Sequence, residues 1–97
     1  MTGTITAAVV TLGVANTERE LGITYRQLDH WVRLGLLRPL HLGGSGNPRE
    51  WTRAELDVAK AMGRLVAAGL RPEAASRVAR SGGRCEIAPG IVIEVTT

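Results

Sequence analysis

The sequence predicts a mainly α fold with small β elements: a winged helix-turn-helix that ends in a C-terminal β-hairpin. Three observations predict it. The first is a tight turn, Leu21-Gly22-Ile23-Thr24, that opens into the amphipathic run Tyr25 to Arg33. The second is a glycine-rich stretch, Gly43-Gly44-Ser45-Gly46-Asn47-Pro48, set between short β-prone runs. The third is a pair of helix-start signals after that stretch, Thr52-Arg53-Ala54-Glu55 and Arg71-Pro72-Glu73, followed by an alternating tail around Pro89-Gly90.

Taken in order, Thr4 to Leu12 is β-branched and uncharged, and reads as a short strand or extended arm within a segment 1–13. A first helix runs from Val14 to Leu21, with a thin apolar stripe among polar residues. Gly22 permits the left-handed turn that a side chain resists. Ile23 plugs that turn, and Thr24 is placed to cap the next helix with its hydroxyl. In that second helix Leu28, Trp31 and Val32 share one face, while Tyr25, Arg26, Gln27, Asp29, His30 and Arg33 take the other. Gly35 ends it.

Arg38 to Leu42 and Arg49 to Trp51 read as the two strands of a wing, with the glycine-rich tip between them. That tip is not a phosphate-cradling nucleotide loop, because no Gly-Lys-Ser/Thr follows it. Thr52-Arg53-Ala54-Glu55 fits a capping box, and Leu56, Ala59, Met62, Leu65 and Val66 give the helix behind it an apolar face. Gly69 ends that helix. Pro72 opens another in the first turn, where its missing amide does no harm; Ala74, Ala75 and Val78 supply its inner face. The winged-helix unit therefore spans 14–81. The tail, 82–97, is a hairpin whose Ile87, Ile91, Ile93 and Val95 form one apolar face.

Composition bounds the function. Ninety-seven residues make one small domain, 44% hydrophobic and 3% aromatic with no Phe, so Trp31 and Trp51 are the expected core anchors. Net charge is +3, and eleven of the twelve basic residues are Arg. Arg suits bidentate contact with phosphate and guanine, although a GC-rich genome enriches Arg as well. Cys85 is the single cysteine, so neither an intramolecular disulfide nor a cysteine-based zinc site is expected. No apolar run is long enough to span a membrane, and no basic region precedes the apolar N-terminal stretch as in a signal peptide. The expected location is the cytoplasm of a bacterial or phage-infected cell. Asp29-His30 is no catalytic dyad, since neighbouring helix positions diverge, and two His residues define no metal site. No acid, base and nucleophile stand at credible spacing, so the expectation is a non-enzyme without metal or cofactor.

From Leu21 to about Arg80 the chain resembles the winged-helix DNA-binding domain of the MerR family and its small excisionase-like relatives. Leu21-Gly22-Ile23-Thr24 is similar to the turn, and Arg26-Gln27-Leu28-Asp29-His30-Trp31 to the recognition helix. Gly35-Leu36-Leu37-Arg38-Pro39 is similar to the exit toward the wing, and Arg49-Glu50-Trp51-Thr52 to the return strand and cap. Ala68 to Ala74 is similar to the junction of the third and fourth helices. Three features depart from the family. A β-like tail after Gly82-Gly83 stands where the family's regulators carry a long dimerisation helix, and Cys85 alone does not reproduce a metal sensor's cysteines. Thr17 and Glu18 fall where the family has apolar residues, which leaves the register of the first helix open.

The resemblance implies double-stranded DNA as the partner, with the second helix in the major groove and its N-terminal end toward the bases. Thr24, Tyr25, Arg26, Gln27, His30 and Arg33 are then the helix candidates, with Arg26 suited to guanine and Gln27 to adenine. Asp29 reads instead as a surface partner for Arg26 or Arg33. In the wing the candidates are His41, Ser45, Asn47 and Arg49, and Arg53 sits at the next helix N-terminus. The leading expectation is a sequence-specific DNA-binding transcriptional regulator. A recombination directionality factor binding direct repeats is the alternative, and a protein-interaction adaptor on the same fold is a third. The tail is expected to make a homodimer or cooperative oligomer, against the alternative of an intramolecular sheet.

Overall fold

The computed structural model describes residues 9–40 and 49–95. In chain order the elements are β1 (Val9–Leu12), α1 (Val14–Leu21), α2 (Tyr25–Arg33), β2 (Arg49–Thr52), α3 (Arg53–Ala67), α4 (Pro72–Arg80), β3 (Arg84–Ala88) and β4 (Ile91–Glu94). The expected outline, mainly helical with small antiparallel hairpins, is the one observed.

The turn between α1 and α2 follows from its residues. Gly22 is in the left-handed region at φ 73°, and its N–H donates to Glu18 O at 2.9 Å, closing α1. Ile23 is buried and rests on α3, where Gly63 makes room: a Cβ there would overlap Ile23 Cγ2. Thr24 and Gln27 form a complete capping box at the start of α2. α2 buries Leu28 and Trp31, then stops in a Schellman arrangement: the N–H groups of Gly35 and Leu36 donate to Val32 O and Trp31 O, both at 3.0 Å.

The register of α1 is settled by a polar residue. Thr17 is fully buried with Leu21, and its hydroxyl donates to Gly13 O at 3.0 Å. A threonine that bonds back one turn satisfies its own oxygen and offers its methyl to the core. Thr17 therefore occupies an apolar position of the fold, whereas Glu18 is exposed.

The wing's return strand has a partner that the sequence does not predict. β2 pairs antiparallel with β1, in the register Val9↔Thr52, Val10↔Trp51, Thr11↔Glu50 and Leu12↔Arg49. On its other side only Leu40 joins it among the described residues, donating its N–H to Glu50 O at 2.7 Å. Residues 38–40 of the outgoing arm are not a strand, since Pro39 has no N–H to enter a ladder. The tip, with His41, Ser45 and Asn47, lies outside the described residues.

Trp31 and Trp51 anchor one core with Leu28, Leu37, Leu56 and Met62. α3 buries Leu56, Ala59, Met62 and Leu65, as its spacing predicts, with Val66 at the margin. On α4 the inner face is Ala75, Ser76 and Val78; Ala74 is only half-buried, so the face is rotated by less than a quarter turn toward Ser76. The tail folds back on the domain. β3 and β4 pair antiparallel, and Cys85, Ile87, Ile93 and Val95 pack against the core. Ile91 does not join that face: a register irregularity between Glu86 and Ala88 sets it beside the Pro89-Gly90 turn, about half exposed. Among the described residues β1 pairs with β2 and not with the tail.

Candidate nucleic-acid interface

The buried face of α2 fixes what its other face presents. With Leu28 and Trp31 inside, Arg26, His30 and Arg33 are exposed, and Tyr25 and Asp29 are half-buried beside them. Thr24 and Gln27 are engaged with each other. Gln27 N–H donates to Thr24 Oγ1 at 3.1 Å, and Thr24 N–H donates to Gln27 Oε1 at 3.1 Å. A contact from Gln27 to adenine through that oxygen has to compete with the cap.

The wing base meets this face at one cluster. Asp29 Oδ1 accepts from Arg49 Nη2 at 2.5 Å, and Asp29 Oδ2 accepts from Arg33 Nε at 2.8 Å. Arg49 Nη1 donates to the Tyr25 hydroxyl at 3.4 Å, with the guanidinium carbon 5.6 Å from the Tyr25 ring centroid, within cation–π range. Hydrogen bonds from Arg49 first and Arg33 second hold the Asp29 carboxyl below its ordinary value of 3.8. The cluster ties β2 to the recognition helix. Arg49 is the more enclosed cation, its side chain 12% exposed against 77% for Arg33. Sequence reasoning pairs Asp29 with a helix neighbour, and Arg33 is one; the bond to Arg49 crosses twenty residues and has no local signal.

Arg53 is exposed at the first position of α3, whose N-cap Thr52 accepts the Glu55 N–H at 3.1 Å. Positive charge from the helix end and the Arg53 guanidinium therefore lie together there.

A protein-family model described as MerR HTH family regulatory protein matches residues 12–82. The chain belongs to that family. Neither a curated protein nor a solved structure matches it. As a MerR-family helix-turn-helix protein it is a DNA-binding transcription regulator. The match begins at Leu12 of β1 and stops at Gly82, so the β3–β4 hairpin lies beyond it. Among the described residues no helix is long and apolar enough to cross a membrane, and no group of three or more His, Cys, Asp or Glu side chains converges as a metal site does.

The MerR-type domain contains a second cluster that the sequence reading misses. Glu55, expected to reach back to its helix cap, instead accepts the Arg38 N–H at 2.8 Å and Arg80 Nη2 at 2.5 Å. Arg80 also donates to Leu36 O at 2.8 Å. Burial alone would push the Glu55 carboxyl up, but the bonds from Arg80 and Arg38 outweigh it and hold it below the usual glutamate range. Arg80 thus joins α3, α4 and the chain leaving α2. That clamp sets where the wing begins.

Proposed function

We propose that this regulator is a sequence-specific binder of double-stranded DNA and a transcriptional repressor of bacterial or phage type, working in the cytoplasm. One observation carries the reading: the outward face of α2 presents Arg26, His30 and Arg33 beside a wing base fixed by Arg49. With α2 in the major groove, Thr24, Tyr25, Arg26 and Gln27 lie toward the base edges, and His30 and Arg33 toward the phosphates. Arg49 and Arg53 flank the groove, and His41, Ser45 and Asn47 belong to the wing tip. Half-burial of Tyr25 and Gln27 and the exposure of Arg26 and Arg53 fit these roles.

Salt titration and footprinting test the proposal. Binding to duplex DNA is expected to fall steeply with salt, by about 0.9 in logarithmic slope per phosphate contact. Failure to bind both a selected duplex and random duplex at low salt leaves the protein-interaction adaptor. One palindromic protected site supports a dimeric repressor; a row of direct repeats replaces it with a recombination directionality factor.

The tail supports self-association only through its outer side. Its inner face is packed on the protein's own core, whereas Ile91 and Val92 are exposed on β4, whose outer edge meets no strand among the described residues. Such an edge is a template for a second copy.

A further inference from the structure

Asp29 is an acidic residue in the middle of a surface otherwise suited to phosphate. Tyr25, Arg26, His30 and Arg33 surround it on the outward face of α2. A carboxylate there weakens every phosphate contact nearby. Each of its oxygens already accepts from an arginine, Oδ1 from Arg49 and Oδ2 from Arg33, so a cytosine amine, the target of an acidic base reader, has to share an oxygen with a guanidinium. Its bond to Arg33 is made through Nε, and that arginine side chain is otherwise 77% exposed. Arg49 is held between Asp29 and the Tyr25 ring.

We infer that Asp29 is a specificity-determining residue of the interface, fixing Arg33 and Arg49 in one arrangement and so limiting their contacts with phosphates of arbitrary sequence. The inference rests on the DNA-binding reading above. An unrestrained arginine finds a phosphate in any docking register. A guanidinium anchored through Nε reaches one only where the helix is seated correctly. The acidic residue lowers background binding and leaves the seated complex its contact.

The experiment compares the full chain with Asp29→Asn, which keeps the shape and removes the charge. The two duplexes are a random sequence and the best binder selected from a randomised pool. Asp29→Asn is expected to bind random duplex about 3–10-fold more tightly at low salt, with a logarithmic salt slope steeper by about one to two. The ratio of selected to random affinity falls accordingly. Asp57→Asn, the same charge change at an exposed residue of α3, is expected to leave slope and ratio near those of the parent. In an Arg33→Gln background, Asp29→Asn should lose about half of its gain. Thermal melts verify folding of each variant. If Asp29→Asn does not fold, Arg33→Gln alone decides: an unchanged random-duplex slope supports the restraint, and a slope shallower by about one overturns it. An unaltered ratio in folded Asp29→Asn, or an equal effect of Asp57→Asn, also overturns it. A parent protein that binds neither duplex overturns the DNA reading and this inference together.

Discussion

Gly63 illustrates how one residue decides the packing of two helices. In an exposed helix a glycine costs about 1 kcal/mol relative to alanine. Here a Cβ would collide with Ile23 Cγ2, and the backbone oxygen of Leu21 lies close behind. Gly63→Ala is therefore expected to destabilise the protein by about 1–3 kcal/mol in chemical denaturation, as overpacking does, despite its better helix propensity. Trp31, 2% exposed, should lose about 3–5 kcal/mol on truncation to Ala. A Trp31→Ala protein that keeps its melting temperature contradicts the burial of that face. The roles of Ile23, Thr24, Gly22 and both tryptophans are legible in the sequence because turn chemistry and helical spacing are local. Gly63 is not: its signal is a close approach to a residue forty positions earlier. Thr17 also misleads, since its hydroxyl is satisfied by Gly13 O one turn back, which frees its methyl for the core.

At the scale of elements, α2 and the three helices around it follow from periodicity and caps, whereas the contacts joining them do not. Glu55 shows why. A glutamate three residues after Thr52 satisfies the capping-box pattern, and nothing in the sequence reveals that Arg80 and the Arg38 N–H compete for it more effectively. The clamp has a pH signature. A carboxyl held below its ordinary value of 4.5 adds stability that is fully present above about pH 4.5 and is lost as pH falls through the lower folded value. Glu55→Gln is expected to cost about 1–2 kcal/mol at neutral pH, discounted for the exposed side of Arg80. It should also flatten the acid limb of the stability curve measured between pH 6 and pH 3. The same steepness in both proteins would assign that limb to other carboxylates. On α2, Arg26→Ala should cost about 1–3 kcal/mol in binding the selected duplex and relax preference at one base pair. A uniform loss across all sequences would make Arg26 a phosphate contact.

For the molecule as a whole, the tail was the least legible part. Its alternation predicts a hairpin with an apolar face, but not which surface that face covers, since many apolar surfaces offer the same chemistry. The structure gives that face to the protein's own core, leaving Ile91 and Val92 outward. If β4 pairs with a second copy, Val92→Lys should convert a dimer to monomer in sedimentation equilibrium while thermal stability changes little. A parent chain that is monomeric both alone and on DNA removes that role from the tail. Deleting the hairpin is a poorer test, because Cys85, Ile87, Ile93 and Val95 cover the core and their loss uncovers it.

The bond from Leu40 to Glu50 joins the two ends of the wing tip before the tip begins, and β1 braces the returning end from its other side. Once the ends of a connection are tied, lengthening it is inexpensive: doubling it adds only about 0.6 kcal/mol of closure entropy. Insertions, deletions and exchanges between residues 41 and 48 should leave the melting temperature of the domain almost untouched. On the proposed reading, in which the wing tip meets DNA, lineages of this protein can try new sequences there without endangering the fold that carries them.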